Sequence, residues 1–292
     1  MPHQTHIDYT LHHYALHLAD NALVLGHRNS EWTGRGPILE QDIALSNIAL
    51  DLIGQARYFY QHAARLLNEG GAIGEGRSMS EGQPFNEGQP FNEGRDSRRR
   101  EVTEDSLAYG RDGWDFRNCL LVELEGGDWA KTILRQFFFS VYQAYYYERL
   151  QHSRDTELSA IAEKARKEVI YHLRWSSEWV IRLGDGTGES RRRILIAFDE
   201  LWKFTSELFI PASYELVVAA EGLGVNPVTL KPSWMKNVSM VFEEAGILDA
   251  LSQGIEEGWV GLCGKEGNHT EHLGYILAQL QFLQRAYPDC NW

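Results

Sequence analysis

The chain has 292 residues, with 28 Lys and Arg against 41 Asp and Glu, so its formal charge is −13. This excess of negative charge repels a phosphate backbone and argues against a nucleic-acid partner. The N-terminus lacks a basic region followed by an apolar run, and no stretch approaches the roughly 18 apolar residues of a membrane span. Three scattered cysteines fit a reducing compartment better than a disulfide framework. We therefore expect a cytoplasmic protein with no membrane partner.

Apolar residues recur with helical periodicity along most of the chain, which predicts an all-α fold. The long helices are expected over about 9–30, 37–67, 128–152, 157–183 and 189–209. Pro37 is expected to open the second of them, because proline suits the first helical turn. Shorter helical pieces follow Pro211. Long helices with modest connections form a bundle, here with additional C-terminal helices.

The second predicted helix carries apolar residues on two sides. One stripe consists of Leu45, Ala49, Leu52, Ala56, Phe59, Ala63 and Leu66, and the other of Leu39, Ile43, Leu50, Ile53 and Tyr60. A helix that is apolar on two sides is expected at the centre of a bundle. Asn47, Asp51 and Gln55 lie between the stripes at spacings of four. They point into the bundle, toward a neighbouring subunit or to solvent.

The segment from about 70 to 100 differs from the rest of the chain in composition. It is rich in Gly, Glu, Ser and Arg and contains two tandem copies of EGQPFN, at 81–86 and 87–92. Two copies are too few for a solenoid. So few apolar residues cannot offset the entropy lost on ordering, which predicts a disordered loop within a single domain over 1–292.

Glu168 and His172 raise the possibility of a metal site, since they lie four residues apart in a predicted helix. In di-iron carboxylate bundles, two helices each supply a Glu and the other two each supply Glu-x-x-His. The residue three before His172 is Val169, which has no lone pair, and no long predicted helix contains Glu-x-x-His. We therefore expect Glu168 and His172 to form a buried hydrogen-bonded pair, with Lys164 near Glu168, rather than a metal site.

The sequence HTEH at 269–272 is a second candidate for metal binding. As a zinc site it lacks an identifiable third ligand. Thr270 suits the N-cap of the following helix, and Glu271 falls in its first turn, where a negative charge is favourable. The pattern therefore predicts a helix start rather than a zinc site.

Several stretches together carry a family resemblance: LADNALVLGHRNSEW, GPILEQDIALSNIALDLIGQAR, DFRNCLLVE, KEVIYHLRWSSEWVIRLGDGT and GNHTEHLGYILAQLQFLQRAYP. They resemble the C subunits of bacterial ring-1,2-phenylacetyl-CoA epoxidases, in order and over nearly the whole chain. The segment at about 70–100 is the exception, because it is longer than expected for that family. The resemblance implies a ferritin-like bundle that pairs with a related catalytic A subunit and the other subunits of the complex.

The same resemblance implies that the chemistry belongs to the partner. The catalytic relative holds a di-iron centre, and its Glu-x-x-His motifs fall where this chain has Leu52 and Gln55 on one helix and Val169 and His172 on another. Three of these four side chains cannot bind iron usefully, so no cofactor is expected in this chain. The complex is expected to insert one oxygen atom of O2 into the ring of phenylacetyl-CoA, with NADPH electrons from a separate reductase. This chain is then a noncatalytic structural subunit in aerobic phenylacetate catabolism.

The resemblance also implies that the C subunit lies near the bound thioester. The matching residues here are Asp115, Phe116, Arg117, Asn118, Leu216, Val217 and Val218. Arg117 would meet a coenzyme phosphate, and the three aliphatic residues would pack on the pantetheine. The alternative is an exposed loop and ordinary core residues.

Two other functions remain open from the sequence. The chain is an oxygenase in its own right if it binds iron through ligands such as Asp20, Asp51, Glu148, Glu168 and His172. It is a stand-alone helical interaction protein if it has left the phenylacetate pathway. Metal analysis tests the first alternative, and co-purification with an A-type subunit tests the second.

Overall fold

The computed structural model describes residues 2–69, 101–254, 261–287 and 290. The α-helices in these ranges are α1 (Pro2–Ser30), α2 (Leu39–Glu69), α3 (Glu104–Tyr109), α4 (Leu120–Glu123), α5 (Trp129–Leu150), α6 (Thr156–Gly184), α7 (Gly188–Thr205), α8 (Ser213–Ala220), α9 (Lys231–Glu244), α10 (Asp249–Gly254), α11 (Glu271–Leu280) and α12 (Phe282–Ala286). Single turns of 3-10 helix lie at Gly113–Asp115, Ser206–Phe209, Pro227–Leu230 and Gly264–Glu266. The described ranges contain no strand and no helix with the length and apolar content to cross a membrane. The predicted loop at 70–100 lies outside them.

The five long predicted helices are confirmed, and local chemistry explains most of their ends. Asp128 caps α5 by accepting a hydrogen bond from the Lys131 amide, and Asp155 caps α6 through two amides. The helix predicted from Pro37 begins two residues later, where the Ile38 carbonyl accepts the first two backbone bonds of α2. The first helix begins at Pro2, earlier than predicted.

The central bundle is formed by α1, α2, α5 and α6. Helix α1 packs along α2, α5 packs along α6, and α2 contacts α6 across the bundle. Helix α7 covers α5, and α9 packs on both α5 and α6. Helix α8 lies against α1, while α11 contacts α4 near the C-terminal end. The predicted all-α, ferritin-like bundle with additional C-terminal helices is confirmed.

Helix α5 supplies the aromatic centre of the core. Its Phe137, Phe138 and Phe139 are almost completely buried, and Phe138 contacts the rings of Trp234 and Phe242 in α9. Burial of each large apolar side chain contributes on the order of 1.5–3 kcal/mol. This helix therefore anchors both its bundle neighbour α6 and the later helices.

Helix α2 is one of the four bundle helices, but only one of its two apolar sides is covered, contrary to the prediction that both stripes are buried. The first stripe is buried as predicted, apart from half-buried Leu66. In the second, Leu39, Ile43 and Leu50 are 71%, 50% and 65% exposed, and only Tyr60 is buried. Helix α2 packs on α1 and α6, and the residues that the structure describes leave three large apolar side chains on its remaining side largely uncovered.

Candidate functional site

The contact between α2 and α6 contains the residues that raised the metal question. His172 is buried, and its Nε2 lies 3.0 Å from Asp51 Oδ2. Gln55 Nε2 donates a hydrogen bond to Glu168 Oε2 at 2.9 Å. The prediction that Glu168 and His172 bond to each other is therefore wrong. Residues four apart on a helix point the same way, so both side chains reach across to α2 instead.

Two further predictions for this contact are settled by its geometry. Lys164 donates to Tyr58 Oη at 2.8 Å and sits 4.2 Å from the centre of that ring, rather than bonding to Glu168. Asp51 and Gln55 point toward α6 and so into the bundle, whereas Asn47 is exposed. The polar line on α2 thus divides between an interhelical contact and solvent.

A di-iron centre does not fit this contact. Leu52 and Val169, at two of the positions where the resemblance puts carboxylate ligands, are fully buried and apolar. Gln55 lies beside Tyr147, whose phenol is 3.5 Å from Gln55 Oε1 and whose pKa is raised by burial. Amide, phenol and aliphatic groups thus fill the space between the helices. Among the residues that the structure describes, no group of three or more His, Cys, Asp or Glu is arranged to hold a metal ion.

Two of the alternative iron ligands lie in separate ion pairs. Glu148 faces Arg166 at 3.7 Å on the protein surface. Asp20 is fully buried, and its carboxylate accepts from Tyr60 Oη at 2.5 Å and from both terminal nitrogens of Arg111. Burial opposes the charge of Arg111, but Asp20, Tyr60 and Asp115 together outweigh it and raise the pKa of Arg111. Glu148 and Asp20 therefore do not join Asp51, Glu168 and His172 at the α2–α6 contact.

The Asp20 carboxylate also anchors the loop formed by residues 111–118, called here the anchored loop. Asp20 Oδ2 accepts the Arg117 backbone amide at 2.7 Å. The Arg111 guanidinium lies 4.2 Å from the centre of the Phe116 ring, and Gln281 donates to the Arg111 carbonyl at 2.9 Å. The loop is thus held between α1 and the end of α11, with Trp114 exposed at its tip.

Four residues of the anchored loop are predicted substrate contacts, and they differ in exposure. Phe116 and Asn118 are buried, whereas Asp115 and Arg117 are partly accessible. The Arg117 guanidinium donates to the carbonyls of Trp114 and Phe116 at 2.8 and 3.1 Å. Of these four, Arg117 carries the accessible cation that a phosphate contact requires, while Phe116 and Asn118 support the loop from inside.

The second predicted segment lies in α8. Leu216 and Val217 face outward, and Val218 is buried. His17 of α1 lies between the two segments, since its Nδ1 lies 2.7 Å from the Arg117 carbonyl and its Nε2 lies 3.7 Å from Glu215 Oε1. The structure therefore brings the two segments to the same end of the bundle, on either side of one imidazole. Their contact with a substrate stays a prediction.

A buried polar cluster beneath these segments was missed by the sequence analysis. Glu207 accepts the backbone amides of Leu120 and Gly264 at 2.6 and 2.7 Å, and burial raises its pKa to about 7. Lys265 Nζ is fully buried and donates to Glu215 Oε2 at 3.0 Å. A Glu or Lys in a short helix is usually exposed, so the sequence carries no signal for these positions.

The predicted cap at Thr270 is confirmed. Its hydroxyl accepts the His272 amide at 3.3 Å and donates to Glu123 Oε1 at 2.8 Å, and Glu271 lies in the first turn. His269, immediately before it, bonds to Glu123 Oε2 at 2.7 Å and to the Phe116 carbonyl at 3.0 Å. HTEH therefore starts α11 and joins it to the anchored loop.

The model of a family described as phenylacetic acid catabolic protein matches residues 2–292. The chain belongs to this family. Among curated proteins, the C subunit of 1,2-phenylacetyl-CoA epoxidase from Escherichia coli (strain K12) is 40% identical over 279 residues. The match covers 96% of this chain and 98% of that relative. The resemblance inferred from the quoted stretches is confirmed.

The family match includes the α2–α6 contact, where the resemblance puts the metal centre of the catalytic relative. The family model covers the bundle and the C-terminal helices together, so the match includes the buried cluster and the anchored loop as well as the four central helices. Within this member of the family, the interhelical space holds Leu52 and Val169 at full burial. A stabilising core thus occupies the place where the resemblance puts a metal centre in the catalytic relative.

Proposed function

We propose that this chain is the noncatalytic structural subunit of a phenylacetyl-CoA 1,2-epoxidase complex in aerobic phenylacetate catabolism. The observation that carries the proposal is the pair of fully buried aliphatic residues, Leu52 and Val169, in the α2–α6 contact. Carboxylate ligands are absent at these two positions, so chemistry at a di-iron centre belongs to a partner A subunit, with NADPH electrons supplied by a reductase. The 40% identity to the C subunit of the Escherichia coli epoxidase, over nearly all of both chains, supports the same role.

The outer side of α2 supports a partner-binding role. Leu39, Ile43 and Leu50 are exposed on one side of α2, and with partly accessible Gly54 one turn further on they form a line that we call the α2 ridge. A Cβ atom at Gly54 would meet nothing within 4 Å, so nothing in the described part of this chain requires glycine there. Glycine inside a helix costs roughly 0.5–1 kcal/mol relative to alanine. By contrast, Gly26 packs closely against α2 at Ile53 and the Ala49 carbonyl.

These features suit a helix of another protein lying on the α2 ridge. Apolar side chains bury area there, and a glycine lets the partner backbone approach closely. The proposed occupant is the catalytic A subunit, because the resemblance pairs the two bundles. An obligate interface of this kind buries more than about 2,000 Å² in total, and exposed apolar residues on α2 are what such an interface would cover.

The thioester end of the substrate is proposed to lie at the end of the bundle that carries the anchored loop. Arg117, Leu216 and Val217 supply the accessible cation and apolar surface, next to the A subunit's active site. Phe116, Asn118 and Val218 hold these residues in place from the core.

The proposal is tested by expressing the A subunit with and without this chain. Soluble yield, melting temperature and phenylacetyl-CoA turnover with the reductase are measured in both preparations. We expect all three to rise when this chain is present, with iron found in the A subunit and not in this chain purified alone. Equal values in both preparations would remove the structural-subunit role. Stoichiometric iron in the isolated chain would instead favour the oxygenase alternative.

A further inference from the structure

The His269 ring is buried between two groups that accept hydrogen bonds. Its Nδ1 lies 2.7 Å from Glu123 Oε2, and its Nε2 lies 3.0 Å from the Phe116 carbonyl. A neutral imidazole has a single N–H and turns a lone pair toward its other neighbour. Only the imidazolium donates to both groups at once.

Glu123 is arranged to accept a hydrogen bond from His269 rather than to donate one. Its Oε1 accepts the Thr270 amide and hydroxyl at 2.6 and 2.8 Å, and its Oε2 accepts Asn118 Nδ2 at 2.8 Å as well as His269. Three donors other than His269 surround this fully buried carboxyl group, and they favour its ionised form, which has lone pairs free on both oxygens. The Glu123–His269 contact is therefore a buried ion pair.

The charges around His269 favour its protonated form. Burial disfavours the imidazolium, but the hydrogen bond and charge of Glu123 from α4, the Phe116 carbonyl and the Asp20 charge from α1 together raise the pKa of His269 above its ordinary value. His17, which holds the next carbonyl along the loop, behaves in the opposite way. Its complete burial lowers its pKa despite the nearby Glu215 carboxylate. Consecutive carbonyls of the anchored loop are thus held by one charged and one neutral imidazole.

We infer that His269 is a positioning residue, which as an imidazolium fixes residues 115–118 for thioester binding and makes that binding depend on pH. This inference rests on the proposed function, because the substrate contact of residues 115–118 belongs to it. Loss of the proton removes one of the two bonds and leaves either the Glu123 carboxylate or the Phe116 carbonyl without its donor. When the Phe116 carbonyl is the group left without its donor, the anchored loop loses this bond at the centre of the predicted contact, while the bond from Gln281 to the Arg111 carbonyl remains.

The protonation state is measured by NMR on the full chain labelled with 15N-histidine. The His269→Gln variant assigns the His269 signals, and His272→Gln, three residues further on, is the matched control. We expect both ring nitrogens of His269 to keep the shifts of an imidazolium at pH 6.5 and to titrate at a higher pH. Shifts of a neutral tautomer at pH 6.5 would overturn the inference.

The positioning role is measured in the assembled complex with the A subunit and reductase. His269→Gln should raise the KM for phenylacetyl-CoA by about tenfold at pH 6.5, with kcat little changed, because only the alignment of the binding loop is disturbed. The wild-type KM should rise toward that of the variant as pH increases, whereas the KM of His269→Gln should not follow pH. His272→Gln should behave as wild type.

The outcomes separate this inference from the proposed function. Suppose that the complex with the wild-type chain is active and that the complex with His269→Gln has the same KM and the same pH profile. That result rejects the positioning role but leaves the structural-subunit role standing. A wild-type chain that adds nothing to the A subunit rejects the proposed function. Should His269→Gln fail to assemble, Glu123→Gln replaces it, and the rise in KM should then occur at lower pH than in the wild type.

Discussion

Glu207 carries a carboxyl group that is completely removed from solvent and bonded to two backbone amides. Burial raises its pKa from 4.5 to about 7, with the two amides and the Lys265 charge acting in the opposite direction. A raised pKa in the folded state stabilises the protein below the unfolded value, and that stabilisation is lost as pH rises through the folded value. The contribution of Glu207 to the stability of the fold should therefore fall progressively as the pH rises from about 4.5 to about 7.

We predict that Glu207→Gln removes this dependence on pH. The stability of the wild type relative to the variant should fall by about 3 kcal/mol between pH 4.5 and 7, since each pKa unit corresponds to about 1.4 kcal/mol. Urea unfolding of both proteins across that range measures the difference between their free energies of unfolding. The other titrating groups contribute equally to both proteins and do not affect this difference. Parallel curves for the two proteins would show that Glu207 does not titrate in this way.

Among the charges that hold the anchored loop, Asp20 in α1 should be the most costly to remove. Asp20→Asn keeps the shape of the side chain but leaves the Arg111 guanidinium buried without its counter-charge, which typically costs about 3–5 kcal/mol. Glu148→Gln is the matched control, because its pair with Arg166 is partly exposed at 3.7 Å and should change stability by less than about 1 kcal/mol. Denaturant unfolding measures both, and similar losses would contradict the assignment.

Val169→Glu restores one carboxylate at a position that the resemblance makes a ligand. We predict that this variant binds no more iron than the wild type, because Leu52 and Gln55 stand in α2 where the resemblance puts its two ligands. The new carboxyl group would also replace a fully buried side chain, so the melting temperature should fall. Elemental analysis after iron loading measures the first effect. Iron binding with oxygenase activity would mean that the helix faces are wrongly assigned.

At the scale of one element, α2 combines a buried face with an exposed one. Its inner residues hold the bundle together, so they respond to changes in the fold of this chain alone. The α2 ridge contributes little to that fold, because its side chains are largely exposed. Its substitutions should therefore separate folding from assembly.

We predict that Leu50→Glu changes the stability of the isolated chain by less than about 0.5–1 kcal/mol but weakens the complex with the A subunit by about 2 kcal/mol or more. Met240→Glu on α9 is the control, because Met240 is 59% exposed, similar to Leu50 at 65%, but does not lie on the α2 ridge. Affinity measured by calorimetry, with melting temperatures of the free chains, tests both parts. Equal weakening by the two variants would place the interface elsewhere.

At the scale of the whole molecule, hydrogen bonds tie distant parts of the chain together around the segment at 70–100. Asn68 bonds to both the carbonyl and the amide of Val102, at 2.8 and 3.1 Å, so the two ends of that segment lie side by side. The C-terminal helices are tied to the bundle separately, through Lys265 and His269. The residues on either side of the 70–100 segment are thus joined directly to each other.

We predict that residues 70–100 can be replaced by a short glycine-rich linker without loss of folding. Their composition cannot support a core, and a short linker can span ends that are already adjacent. Circular dichroism and the melting temperature should match those of the full chain. An unfolded deletion variant would show that this segment supplies contacts to the bundle.

The sequence of neighbouring residues determined the helices, because apolar periodicity and caps such as Thr270 act within a few residues. It also determined what Leu52 and Val169 cannot do, since a side chain without lone pairs binds no metal in any fold. The tertiary structure decided which apolar face of α2 is covered, since a stripe looks the same whether its own chain or a partner buries it. It likewise decided that His172 pairs with Asp51, 121 positions away in sequence, and that Glu207 is buried. Such polar contacts depend on where separate helices meet, which no local pattern encodes.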